Sequence, residues 1–154
     1  MKKKYLLTLL VTLVTLSSFA QSKGYNVYHN DRFGFCVLYP VEFKKGLAPT
    51  NNDGRSFSDR QNNRILAYGG LVVYEDALKQ EYEMAQKDKK VTYKVRSKNA
   101  FVVSGFDQGR IFYQKTILRK EQLFTVYFNY LASEKKLFDA IIKRVTKTFP
   151  ACDF

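Results

Sequence analysis

The sequence predicts an antiparallel α+β domain with the element order ββββ-α-ββββ-α and about six to eight strands in its sheet. Three observations carry this. There are 13 Phe and 11 Tyr but no Trp, and aromatic side chains favour half-buried strands. Apolar runs come in consecutive pairs around short polar turns, as hairpins do. Two stretches instead space their apolar residues as helices, one in mid-chain and one near the end.

The first twenty residues read as a secretory signal peptide. Lys2, Lys3 and Lys4 form a positive start, Leu6–Leu16 an apolar core, and Ser18-Phe19-Ala20 a small-x-small cleavage site. The apolar core falls short of the ~20 residues that cross a bilayer. No cysteine follows it to accept a lipid. Cleavage after Ala20 leaves a single domain, 21–154, exported to a periplasm or beyond and without a transmembrane segment.

Residues 25–29, YNVYH, and 33–39, FGFCVLY, are strand-like around Asn30-Asp31, and Pro40 ends the second. Residues 41–54 hold Gly46, Pro49 and NNDG and read as a loop. RSFS and RILAYGGLVVY flank the polar turn DRQNN as a second hairpin, in which Gly69-Gly70 points to a bulge or a close backbone approach. Residues 75–88 place Leu78, Tyr82 and Ala85 at helical spacing, behind the acidic Glu75 and Asp76. The stripe is thin, so a surface helix is expected.

Four strands follow: VTYKVRSKN, FVVSGF, RIFYQKTILR and QLFTVYFNYL. Asp107-Gln108-Gly109 and Lys120-Glu121 are the turns between the last three. A two-residue turn at Lys120-Glu121 sets Leu118 opposite Leu123 and Ile117 opposite Phe124. One face then carries Ile111, Tyr113, Ile117, Phe124, Val126, Phe128 and Tyr130 and needs a helix over it. The other mixes Gln114, Thr116, Thr125 and Asn129 with Phe112, Leu118, Leu123 and Tyr127 and is expected to be partly wet. The covering helix is the last element: Leu137, Phe138, Ile141, Ile142, Val145 and Phe149 form its stripe, Ser133 is the expected N-cap, and Pro150 stops it.

Charge and cysteines bound the function. The formal charge is +12, and +9 without the three leader lysines. For an exported chain this points to a protein partner, an anionic envelope polymer or a membrane surface, and away from nucleic acid; the same charge also serves solubility. Two cysteines permit one disulfide. Cys36 and Cys152 either form it or leave Cys36 buried and Cys152 free in the tail.

Catalytic residues are scarce. His29 is the only histidine. A two-residue turn pairs it with Arg32, and a longer one with Gly34. Either register leaves it two to four residues from Cys36, roughly 7–13 Å at the strand rise, beyond base–nucleophile reach. One His and two Cys far apart in sequence give no zinc spacing, and no calcium or phosphate loop is present, so neither metal nor cofactor is expected. Glu42, Asp53, Asp59 and Glu75 are not arranged as a hydrolytic pair. A small hydrolase, or a small-ligand carrier with a pocket near loop 41–54, is the alternative to a non-catalytic binding protein.

The basic run KDKKVTYKVRSKN is the strongest binding candidate. On a strand, Lys94, Arg96 and Lys98 project from one face and Tyr93 and Val95 from the other. Lys143, Arg144 and Lys147 extend the stripe if the last helix lies nearby. A solvated face, or lysines that block edge pairing, explains the same residues without a ligand.

YHNDRFGFCVLYP, DGRSFSD, AYGG, NAFVVSGFDQGRIFYQKTIL and the closing IIKRVTKTF together resemble bacterial envelope proteins of the PsbP-like family, across nearly all of 25–149. The resemblance implies an antiparallel sheet packed between helices, a fold similar to the extrinsic PsbP subunit of photosystem II and to a Ran-binding nuclear import factor. It also implies a role in binding or assembly rather than catalysis. It carries no binding residue onto this chain.

Overall fold

The computed structural model describes residues 24–153; the signal-peptide reading of 1–20 lies outside them. Nine strands and two helices follow the expected order with one addition. The strands are β1 (Tyr25–Asn30), β2 (Phe35–Pro40), β3 (Lys44–Lys45), β4 (Gly54–Ser58), β5 (Arg64–Leu71), β6 (Lys90–Arg96), β7 (Ala100–Asp107), β8 (Arg110–Arg119) and β9 (Gln122–Tyr130). Helix α1 (Ala77–Met84) separates β5 from β6, and α2 (Lys135–Thr148) follows β9. The addition is β3, two residues of the expected loop 41–54 that pair with the end of β4.

Strands β3 to β9 form one antiparallel sheet in the order β3-β4-β5-β9-β8-β7-β6, and β1-β2 stand apart as a hairpin. The β8–β9 register is the expected one, with Leu118 opposite Leu123 and Ile117 opposite Phe124. Its turn residues Lys120 and Glu121 both have positive φ, 48° and 58°. Such a turn matches the strand twist and pins the register.

The first β8–β9 face is covered as expected. Phe124, Val126, Phe128 and Tyr130 share one core with Phe138, Ile141, Ile142 and Val145 of α2 and with Phe35 and Val37 of the hairpin. Tyr130 stacks on Phe138, and Tyr39 of the hairpin stacks on Phe57. Phe33 lies so close over Gly69 that a Cβ there would sit 2.7 Å from its ring; the expected bulge or close backbone approach is instead a side-chain contact, and the β5–β9 pairing runs unbroken through Gly69 and Gly70.

The second face is drier than expected. Leu78 and Ala85 on the α1 side close over Phe101, Val103 and Phe112, with Tyr82, Leu118, Leu123 and Tyr127 at the margin. The polar residues under this layer satisfy each other: the Thr116 and Thr125 hydroxyls lie 2.9 Å apart, and Gln114 Nε2 donates to Thr116 Oγ1. The sheet is therefore packed between layers, hairpin plus α2 on one side and α1 on the other. Helix α1 is shorter than the 75–88 expected, and Glu75 and Asp76 precede it.

Ser133 is not the N-cap of α2. It lies inside a 3-10 turn, Ala132–Glu134, and Glu134 occupies the cap position without a side-chain cap bond. The extra turn leads the chain off β9 and moves the α-helical start one residue on.

The β1–β2 register also differs from both expected ones. His29 pairs with Cys36 and Asn30 with Phe35, around a four-residue loop, 31–34. Asn30 builds that loop: its Oδ1 accepts from the Phe33 N–H, and its carbonyl from the Gly34 N–H, with Gly34 at φ 65°. Asn30 is thus the last strand position rather than a turn residue, and its side chain closes the loop from there.

Candidate functional site

β6 is one edge of the main sheet. Its residues Thr92 to Arg96 are all exposed. Lys94 pairs with Val103 and Arg96 with Phe101, so both cations project on the α1 side. Contacts agree: Lys94 Nζ donates to Gln86 Oε1 at 3.0 Å, and the Arg96 guanidinium lies 5.6 Å from the centre of the Tyr82 ring. Lys98 falls beyond the strand, in a turn closed by Ser97 and Ala100, so it does not continue the strand face. Lys89 adds a charge to this side, set over the Phe112 and Tyr127 rings.

Lys143, Arg144 and Lys147 are exposed on α2, across the sheet. The structure does not join them to Lys94 and Arg96, because the strand parity that turns those two toward α1 excludes the α2 side. Among the described residues, ion pairs link Lys79 to Glu83 and Lys135 to Asp139, and none of the six candidate cations takes part in one.

On the α2 side of the same edge, Tyr93, Val95 and Phe106 remain 57%, 49% and 40% exposed. Helix α2 leaves this part of the sheet open. Between them runs an open groove of about 360 Å³, lined by Thr92, Phe106, Tyr113, Tyr130, Asp139 and Lys143 among others. Burial, and then the nearby Asp139 carboxylate, push the Tyr130 phenol up to about 12. Lys115, half-buried beneath α2, is lowered by desolvation. Its Nζ donates to the Thr146 carbonyl at 3.0 Å, in the last turn of α2, where carbonyls lack helical partners.

Cys36 and Cys152 form a disulfide, with Cα atoms 5.0 Å apart. The Cys36 N–H also donates to the Pro150 carbonyl at 3.1 Å. The C-terminal tail is thus tied to β2. His29 Nδ1 lies 2.9 Å from Cys36 Sγ, which overturns the expected separation. The ligand atoms of His29, Cys36 and Cys152 all lie within 4.8 Å of one another, although sequence spacing gave no hint of it. While bridged, the sulfurs are not thiolates and offer no anionic metal ligand.

Loop 41–54 does border a pocket. Leu47, Pro49, Asp53, Ser56, Leu66 and Tyr68 are among the residues around an open space of about 400 Å³. Asp53 is the one carboxylate among its lining residues, and it accepts from Asn51 Nδ2 at 2.8 Å. The Tyr68 phenol is raised by burial, against a lowering hydrogen bond with Thr125.

This architecture, a seven-stranded antiparallel sheet between a helix-plus-hairpin layer and a second helix, is PsbP-like. The solution structure of cyanobacterial PsbP (CyanoP) from Synechocystis sp. PCC 6803 is similar to it, with a TM-score of 0.57 at 12% identity over 88% of this chain and 96% of that one. No protein-family model matches the chain, and no curated protein matches it by sequence. Among the described residues no helix is long and apolar enough to cross a membrane.

Proposed function

We propose that the chain is an exported, non-catalytic binding or accessory protein of the bacterial cell envelope that holds an acidic partner, protein or polymer, along β6. One observation carries the reading: at the free edge of the sheet, Lys94 and Arg96 project to one side and Tyr93 and Val95 to the other, all exposed. Cations supply steering and apolar rings supply contact area. Lysines at an edge disfavour addition of another strand, so the partner docks on the side chains rather than by extending the sheet. A disulfide suits an oxidising compartment outside the cytoplasm, in keeping with the signal-peptide reading.

The test is capture of the tagged protein from its native envelope in low and then rising salt. A partner retained by the wild type and released by Lys94→Glu/Arg96→Glu supports the proposal. Retention of nothing, or equal retention by the variant, counts against it.

A second reading, a small-ligand carrier, is favoured by the pocket beside loop 41–54. A hydrolase with facing carboxylates fits that pocket less well, since Asp53 is the one carboxylate among the residues lining it.

A further inference from the structure

The Cys36–Cys152 bridge sits in an asymmetric setting. Cys36 is 1% exposed, whereas Cys152 and His29 are exposed. Strand alternation turns Phe35 and Val37 into the core and Cys36 the other way, toward the tail and His29. A disulfide sulfur carries no proton, so the 2.9 Å contact is a hydrogen bond when His29 Nδ1 is the donor. The imidazole is thus aimed at the sulfur of the buried cysteine, while the other cysteine is the exposed residue of the pair.

We propose that this bridge is a thiol-exchange site, in which a small thiol or dithiol couples to Cys152 and Cys36 leaves as a thiolate stabilised by His29. The incoming thiolate reaches the exposed Cys152 Sγ. A new bond forms from its sulfur to Cys152, the Cys36–Cys152 bond breaks, and the electron pair stays on Cys36 Sγ. His29 Nδ1–H donates a hydrogen bond to that thiolate, which takes up its proton from solvent. A second thiolate attacks the incoming sulfur of the mixed disulfide and releases Cys152. The balance is two thiols oxidised to one disulfide and one protein disulfide reduced.

Exchange is faster when the leaving thiol is the better stabilised one. Burial by itself disfavours a Cys36 thiolate, and the hydrogen bond donated by His29 Nδ1 offsets it, which favours Cys36 as leaving group. Accessibility independently favours Cys152 as the attacked sulfur. The product is a Cys152 adduct with the covalent tie from the tail to β2 cut. This inference does not depend on what β6 binds.

The test uses the oxidised full chain and reduced glutathione, with free thiols trapped by alkylation and located by peptide mass. The expected result is glutathione on Cys152 and the alkyl group on Cys36, with His29→Ala slowing adduct formation by about three- to tenfold. His29 is exposed, so the substitution leaves the core intact; a loosened fold would expose the bridge and speed the reaction, the opposite sign. Glutathione on Cys36, an equal split, no adduct, or an unchanged or faster rate in His29→Ala each overturns the proposal.

Discussion

The rings of Tyr130 and Phe138 stack with centroids 4.2 Å apart and planes 5° from parallel. The pair joins the end of β9 to the first turns of α2, and Tyr130 also lines the open groove. Both residues are buried, Phe138 completely. Replacing Phe138 with Ala removes a buried aromatic and leaves a cavity. The expected loss is about 3–5 kcal/mol, read as a lower midpoint in urea unfolding.

Alkaline stability depends on Tyr130. Tyrosine is neutral in folded and unfolded chains below about pH 10, so this group adds no slope there. Between that pH and about 12 the unfolded chain releases the proton while the folded one keeps it, and stability falls as pH rises. Burial raises Tyr68, Tyr113 and Tyr127 as well, so they add to the fall. Tyr130→Phe keeps the stacked ring and is expected to flatten the decline, as read from urea midpoints at about pH 9 and about pH 11.

The buried hydroxyl pair under α1 is sensitive to change at one partner. Thr125→Val removes one of the two partners of Thr116 Oγ1, which keeps the Gln114 Nε2 donor, and the hydrogen bond to Tyr68. Leaving buried groups unsatisfied costs about 1–3 kcal/mol. Calorimetric melting of the variant should show that drop without loss of secondary structure by circular dichroism.

The bridge closes a loop with a sequence separation of 116 residues. Constraining so long a loop in the unfolded state is worth about 4–5 kcal/mol in the chain-entropy model and about 2–4 in typical measurements. Cys36→Ser/Cys152→Ser should therefore lower stability by a few kcal/mol while preserving the fold. Intact mass of the unreduced wild type should be two hydrogens below that of the reduced chain.

Two hairpins show what was legible in the sequence and what was not. At β8–β9 the turn is the two residues Lys120 and Glu121, and two residues fix the register. The sheet faces follow from that one register, while the α2 stripe that covers one of them is legible from its own helical spacing. At β1–β2 the turn is set by a side chain: Asn30 accepts from the Phe33 N–H and stretches the loop to four residues. No spacing rule announces that bond, so His29 and Cys36 were read as distant when they face each other. The basic run was found, but which side each cation takes depends on the β6–β7 pairing and on where α2 lies. That divides Lys94 and Arg96 from Lys143, Arg144 and Lys147. Ser133 falls one residue short of the α2 cap because a 3-10 turn intervenes after β9, and no apolar spacing marks that turn.

Whether β6 is a charge-directed binding edge is decided with defined polyanions. Binding of the wild type and of Lys94→Glu/Arg96→Glu to phosphatidylglycerol vesicles and to polyglutamate is measured at about 20 mM and about 300 mM salt, across which the screening length shortens severalfold. Wild-type binding to at least one of them is expected at low salt, with its loss at high salt and at least about tenfold weaker binding by the variant. Absence of wild-type binding to both at low salt, or equal binding by the variant, would show that β6 is not a charge-directed binding edge.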